Sequence, residues 1–227
     1  MFRPYQLLVV VLLNGILLPQ KSTAQQPKHF KTDNSLYEKQ GGNLSIGLRN
    51  TLSTFNHGNW AQVGTGVGGQ LRLQLTDRVN TEWYGDVISN NVENIAHRYD
   101  YHVGWSVMYY FLHPRGFQRK FTPYIVAGHC FDFTQIKLNG EKNPAHSRWS
   151  SAVQMGIGCS YNITPKFDIT LVSQYMLHLG KELHAHAEED GSLHVEEHKN
   201  AGWEGHLLFT LSFNYKFLKL WKPKTKL

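Results

Sequence analysis

The chain has 227 residues, a formal charge of +6 and two cysteines, and 13% of its residues are aromatic against 18% charged. That composition is too apolar and too aromatic for a disordered chain. The low cysteine count, with no Cys-x-x-Cys pair, excludes a disulfide-rich scaffold and a zinc ribbon. The length allows one domain with a full core.

Residues 1–24 read as a secretory signal peptide. Arg3 precedes the apolar run Leu7 to Leu18, and Ser22 and Ala24 stand where a signal peptidase reads small residues. The twelve residues of that run fall short of the roughly 20 that a membrane helix needs. Cleavage after Ala24 would remove Arg3 and Lys21 and lower the formal charge from +6 to +4. No other apolar run reaches transmembrane-helix length, which excludes a membrane helix but leaves a membrane strand open. A polar leader follows over residues 25–43.

From residue 44 to 217 the dominant period is two, the period of a strand with unlike faces. Leu44, Ile46 and Leu48 alternate with Ser45, Gly47 and Arg49. Val67, Gly69, Leu71, Leu73 and Leu75 alternate with Gln70, Arg72 and Gln74. Val79 to Val87 alternates with Asn80, Glu82, Tyr84 and Asp86, and Tyr99 to Phe111 with Asp100, His102, Gly104 and Ser106. The fifth segment, Phe121 to Phe133, is apolar on both parities, and its facing is ambiguous. Val153 to Ile163 alternates with Gln154, Gly156, Gly158 and Ser160. Phe167, Ile169 and Leu171 alternate with Asp168 and Thr170. The last segment, Trp203 to Phe217, alternates with Glu204, His206, Thr210, Ser212 and Asn214.

Segments of about 10 residues are long enough for a tilted strand to cross a bilayer. Their connections alternate too. Thr76 to Arg78, His113 to Lys120 and Thr164 to Lys166 are short, whereas Phe55 to Gly64, Ser89 to Arg98, Gln135 to Ser150 and Gly180 to Gly202 are long. A soluble lipocalin-type barrel would also alternate, but it places its polar residues outside. The signal peptide, the loop asymmetry and the aromatics near segment ends favour a membrane barrel with interfacial girdles. The predicted fold is all-β, an eight-stranded antiparallel up-and-down transmembrane β-barrel in the bacterial outer membrane. Residues 218–227 follow as a basic C-terminal tail with Lys219, Lys222, Lys224 and Lys226.

Three stretches carry a family resemblance. Thr122-Pro123-Tyr124-Ile125-Val126-Ala127-Gly128, the run Gly156 to Phe167 and the ending Phe213-Asn214-Tyr215-Lys216-Phe217 resemble the fifth strand, the glycine-rich strand with its tight turn, and the last strand of small OmpA/OmpX-type barrels. The resemblance spans roughly residues 43 to 217. It implies a small integral barrel and not a cell-wall anchor. The chain departs from the family pattern by continuing beyond Phe217.

An eight-stranded barrel is just wide enough for side chains to fill it, so a general diffusion pore is not expected. The inward set should hold Glu82, Asp86, Asp100, Asp168 and Glu204 against Arg49 and Arg72, with His102 and His206 able to add positive charge. Such a set is expected to form a hydrogen-bonded plug. The sharper alternative is a proton-sensitive core or gate. Cys130 and Cys159 could bridge only in one register, and packing as two unpaired small side chains is the favoured expectation.

The chemical anomaly is histidine. Of thirteen, four fall in fifteen residues: His184, His186, His194 and His198, among Glu182, Glu188, Glu189, Asp190, Glu196 and Glu197. Imidazoles with carboxylates suit Zn, Ni or Cu(II). No His-Glu-x-x-His motif occurs, so an extended hairpin with its tip at Glu189 to Ser192 fits better than a helix. Only an even register, with His186 opposite His194, His184 opposite Glu196 and Glu182 opposite His198, gathers one compact ligand set. The alternative is a solvated polar loop that binds metal only incidentally.

Three functions are therefore on the table. The first is a non-catalytic barrel whose surface loops serve interaction or envelope integrity, with no resident cofactor. Its partners would be outer-membrane lipid and a surface or periplasmic protein, with no nucleic acid, and it would act as a monomer. The second is capture of Zn, Cu or Ni by the histidine loop. The third is a lipid A-modifying barrel enzyme. No His-x-Ser deacylase pattern occurs, and a set such as His57, Ser89 and Asp190 can be assembled only on paper.

Overall fold

The computed structural model describes residues 41–55, 63–92, 95–112, 119–140, 146–179, 182–187, 193–198 and 205–221. The expected signal peptide, nearly all of the leader and the end of the basic tail lie outside the described residues. All described residues belong to one unit of the chain.

Ten strands follow one another: β1 (Asn43–Phe55), β2 (Val63–Gln74), β3 (Val79–Val92), β4 (Ala96–Tyr110), β5 (Phe121–Leu138), β6 (His146–Asn162), β7 (Phe167–Leu179), β8 (Glu182–Ala187), β9 (Leu193–His198) and β10 (Gly205–Lys219). Eight of them close into a barrel in the order β1-β10-β7-β6-β5-β4-β3-β2, while β8 and β9 pair only with each other. Every pairing is antiparallel, and β1 meets both β2 and β10, so the barrel has no open edge. The eight strands coincide with the eight alternating segments of the sequence.

The strands outrun the alternating pattern at the long-loop end. Ser89–Val92 and Ala96–Arg98 are strand, as are Gln135–Leu138 and His146–Ser150, all expected as loop. Beyond the bilayer the outward face no longer has to be apolar, so pairing continues where the hydrophobic alternation fades. The barrel also begins one residue early, at Asn43, and runs two residues into the expected tail, to Lys219. Its register shifts between Leu44 and Ser45, a bulge at the rim that lets the last strand pass beyond Phe217.

The core is inverted relative to a soluble protein. Leu48 is 73% exposed and Met155 71%, whereas Asp100 and His102 are each 1% exposed. Exposed Val, Leu, Ile and Phe side chains cover the barrel wall. A face of that extent belongs in lipid and not in water. Two apolar clusters interrupt the polar interior: Met108, Tyr110, Tyr124, Val126 and Val172 toward the short-turn end, and Ile88, Cys130, Ala152, Met176 and Leu208 toward the long-loop end.

Candidate functional site

The inward positions of β1, β2, β3, β7 and β10 build a charged network in the half nearer the short turns. Glu82 stands between two guanidinium groups: Arg49 Nη1 lies 2.9 Å from its Oε1, and Arg72 Nη2 2.8 Å from its Oε2. Arg49 also reaches Asp86 Oδ1 at 3.1 Å and sits 4.0 Å above the centre of the Tyr84 ring. Arg72 Nη1 extends to Asp168 Oδ1 at 3.5 Å, and Lys216 Nζ closes on Asp168 Oδ2 at 3.2 Å. Asn214 donates to Asp168 at 2.8 Å and accepts from Gln70, tying β2 to β10. Charges so deeply desolvated persist only where partners surround them. Here each carboxylate faces at least one permanent cation.

The other half holds a different chemistry. Asp86, His102, Asp132 and Ser150 are successive register partners across β3, β4, β5 and β6. Asp100 takes Arg98 Nε at 2.9 Å and the Thr134 hydroxyl at 2.7 Å. Asp132 instead has imidazoles as its near charge partners: His102 Nε2 lies 3.5 Å from Oδ1 and His178 Nδ1 3.5 Å from Oδ2. His206 packs edge-on against His178 with ring centres 4.9 Å apart, and its ring lies 6.1 Å from that of His102. β4 and β10 are four steps apart in the closed order of eight. The His102–His206 contact therefore spans the lumen from wall to opposite wall.

The sequence-derived inward set is placed as expected. Arg49, Arg72, Glu82, Asp86, Asp100, Asp168, His102 and His206 are all buried inside the barrel, and Glu204 lies outside the described residues. Asp132 escaped the sequence reading because the parity of the fifth segment could not be decided. The structure resolves it: Thr122, Tyr124, Val126, Cys130, Asp132 and Thr134 point in. His178, just before the histidine loop in the sequence, continues the inward parity of Asp168, Thr170 and Gln174 on β7. Extending that parity along the strand would have found it.

Cys130 and Cys159 are both free. Cys130 pairs with Ala152 and Cys159 with Pro123, so seven strand steps of about 3.3 Å each hold them far beyond bridging distance. In the hairpin, the backbone register is the even one: Glu182 opposes His198, His184 opposes Glu196, and His186 opposes His194. The side chains of these two strands lie outside the described part of the structure. Of the paper triad, Ser89 is on β3, and His57 and Asp190 fall outside the described residues.

No family model and no curated protein sequence matches the chain. Among solved structures, Neisserial surface protein A is similar over 77% of this chain and 96% of its own, with 15% identity and a TM-score of 0.52. The fold is that of the small bacterial outer-membrane barrels. The N-terminal barrel domain of Pseudomonas aeruginosa OprF (15% identity, 78% of this chain and 99% of that one, TM-score 0.46) and the attachment invasion locus protein Ail of Yersinia pestis (12% identity, 79% and 99%, TM-score 0.45) are also similar. The fold assignment rests on the likeness to Neisserial surface protein A and on the lipid-facing exterior.

Proposed function

We propose that this chain is a non-catalytic, monomeric barrel of the bacterial outer membrane, delivered by its signal peptide, whose long connections serve surface interaction or envelope integrity. It is not a general diffusion porin. The observation that carries this reading is the occupied lumen. Arg72 on β2 reaches Asp168 on β7, and His102 on β4 meets His206 on β10, so side chains bridge the interior in both halves. What space remains beside Arg72, Asp168 and Lys216 is a cavity of about 30 Å³, on the scale of a water molecule.

Reconstitution into planar bilayers tests the first half of the proposal: the full chain should give no sustained porin-sized conductance and leave lipid A unmodified by mass spectrometry. The second half is tested in a deletion strain. Sensitivity to detergents should rise and be reversed by the full chain, and a variant with residues 182–198 replaced by a short turn separates the roles. Rescue by that variant assigns envelope integrity to the barrel, whereas failure with normal folding assigns the role to the hairpin. Stepwise large conductance or altered lipid A would overturn the reading.

A second reading, capture of Zn, Cu or Ni at the surface, is favoured by one observation: the β8–β9 register is the one that brings His184, His186, His194 and His198 to compatible positions.

A further inference from the structure

We propose that the interior of the long-loop half holds a second and separate site, for a divalent transition-metal cation of the zinc class, built from His102, His178, His206 and Asp132. Three features of the molecule meet there. The first is the donor set. Three imidazoles and one carboxylate from β4, β7, β10 and β5 suit Zn, Cu(II) or Ni, and the set holds no thiolate.

The second is spacing. A hydrogen-bonded imidazole and carboxylate stand about 2.7–2.9 Å apart when charged. Here His102 Nε2 and His178 Nδ1 each lie 3.5 Å from an oxygen of Asp132. Donors around a tetrahedral zinc with bonds of 2.0–2.1 Å are separated by about 3.3 Å. These gaps are too long for good hydrogen bonds and of the size that separates neighbouring ligands, but they run to the two different oxygens of Asp132, so the carboxylate must turn to bring one oxygen beside both rings. His206 sits beside both partners, its ring 4.9 Å from that of His178 and 6.1 Å from that of His102.

The third is unmet polarity. Neither ring nitrogen of His102 makes a hydrogen bond, nor does Oδ1 of Asp132, although the two residues are each 1% exposed. Buried polar atoms left unpaired call for a bound water or ion. A dication would neutralise the carboxylate and use the imidazole lone pairs at once. Ser150 donates to Asp132 Oδ2 at 3.4 Å, lies 3.5 Å from His178 Nδ1 and would steady the carboxylate.

Among the described residues no group of three His, Cys, Asp or Glu already stands in position to hold a metal ion. The site therefore closes by side-chain rotation. His206 must turn as well, since its Nε2 now faces the Met176 sulfur at 3.3 Å.

The test uses the full chain refolded in detergent with Zn(II) or Co(II) present, dialysed, and measured by elemental analysis and visible absorption. The variants are His102→Gln, Asp132→Asn and the hairpin quadruple change of His184, His186, His194 and His198 to Ala. One retained equivalent is expected in the full chain and in the hairpin variant, with Co(II) bands of a tetrahedral nitrogen and oxygen field. His102→Gln and Asp132→Asn should each weaken binding by more than the 10- to 100-fold typical of a supporting residue. The unmutated chain keeps the test decisive if an interior variant does not fold. Absence of a retained ion and of tetrahedral Co(II) bands in it overturns the proposal. So does retained metal that disappears only with the hairpin histidines, which would instead establish the surface reading.

Discussion

Glu82 is the residue on which the lower network turns. Its two oxygens face Arg49 and Arg72 at 2.9 and 2.8 Å, and through Arg72 it is linked to Asp168 and Lys216. Removing its charge leaves two buried guanidinium groups with one acceptor fewer between them. Breaking such a pair costs about 3–5 kcal/mol, because an uncompensated charge remains in a dry interior. Glu82→Gln should accordingly lower the urea midpoint of the barrel in lipid vesicles, followed by tryptophan fluorescence. Replacing Glu82 together with Arg49, Arg72 and Asp86 by apolar residues of similar volume should recover much of the loss, since Asp168 keeps Lys216. Most members of this network were legible from parity alone, since a charged residue in the polar row of a membrane strand has only the lumen to enter. Lys216 was not. It sat in the sequence as one residue of an aromatic-rich ending, and only the pairing of β10 with β7 brings it beside Asp168.

At the scale of the strand, size matching decides what parity leaves open. β5 is apolar on both faces, so alternation could not orient it. Its inward Tyr124 is answered on β6 by Gly158, its direct register partner. A Cβ built at Gly158 would stand 2.5 Å from Cζ of the Tyr124 ring, so the glycine is the space into which the ring lies. The same device recurs at Tyr84 and Gly104 on β3 and β4. Gly158→Ala should therefore destabilise the barrel by about 1–3 kcal/mol, the usual cost of overpacking. Gly69→Ala supplies the control. Gly69 faces outward, and the nearest atom to its built Cβ is 3.7 Å away, so its thermal midpoint should barely move. A glycine in the inward row of β6 opposite a tyrosine could have oriented β5 from the sequence. That inference needs the register, which a sequence does not print. The hairpin shows the converse case: the histidine spacing left its register open, and the pairing is the even one, with His186 opposite His194.

The barrel is sized to a bilayer, and its aromatics mark where the lipid ends. Toward the short turns, Phe121 pairs with Tyr161 and Phe167 with Tyr215, their ring centres 4.9 and 4.8 Å apart. Toward the long loops, Phe133 stacks on Trp149 at 4.6 Å and meets Tyr101 at 6.0 Å. From Phe121 to Phe133 the strand β5 takes twelve steps, which at about 3.3 Å each and a tilt near 40° rise about 30 Å. That is the thickness of a hydrocarbon core. On β6 the outward residues Trp149, Met155 and Tyr161 sample this profile at even intervals, with Met155 six residues from each girdle. A charge at the middle should then cost about 2–4 kcal/mol and one at a girdle about 0–1 kcal/mol. Met155→Arg is expected to lower folding stability in vesicles by the larger amount and Tyr161→Arg by the smaller. The gap should close in detergent, where a micelle deforms around the guanidinium. Equal penalties at the two positions in lipid would mean that the girdles do not bound the membrane, and that the exposed apolar wall meets something other than a bilayer.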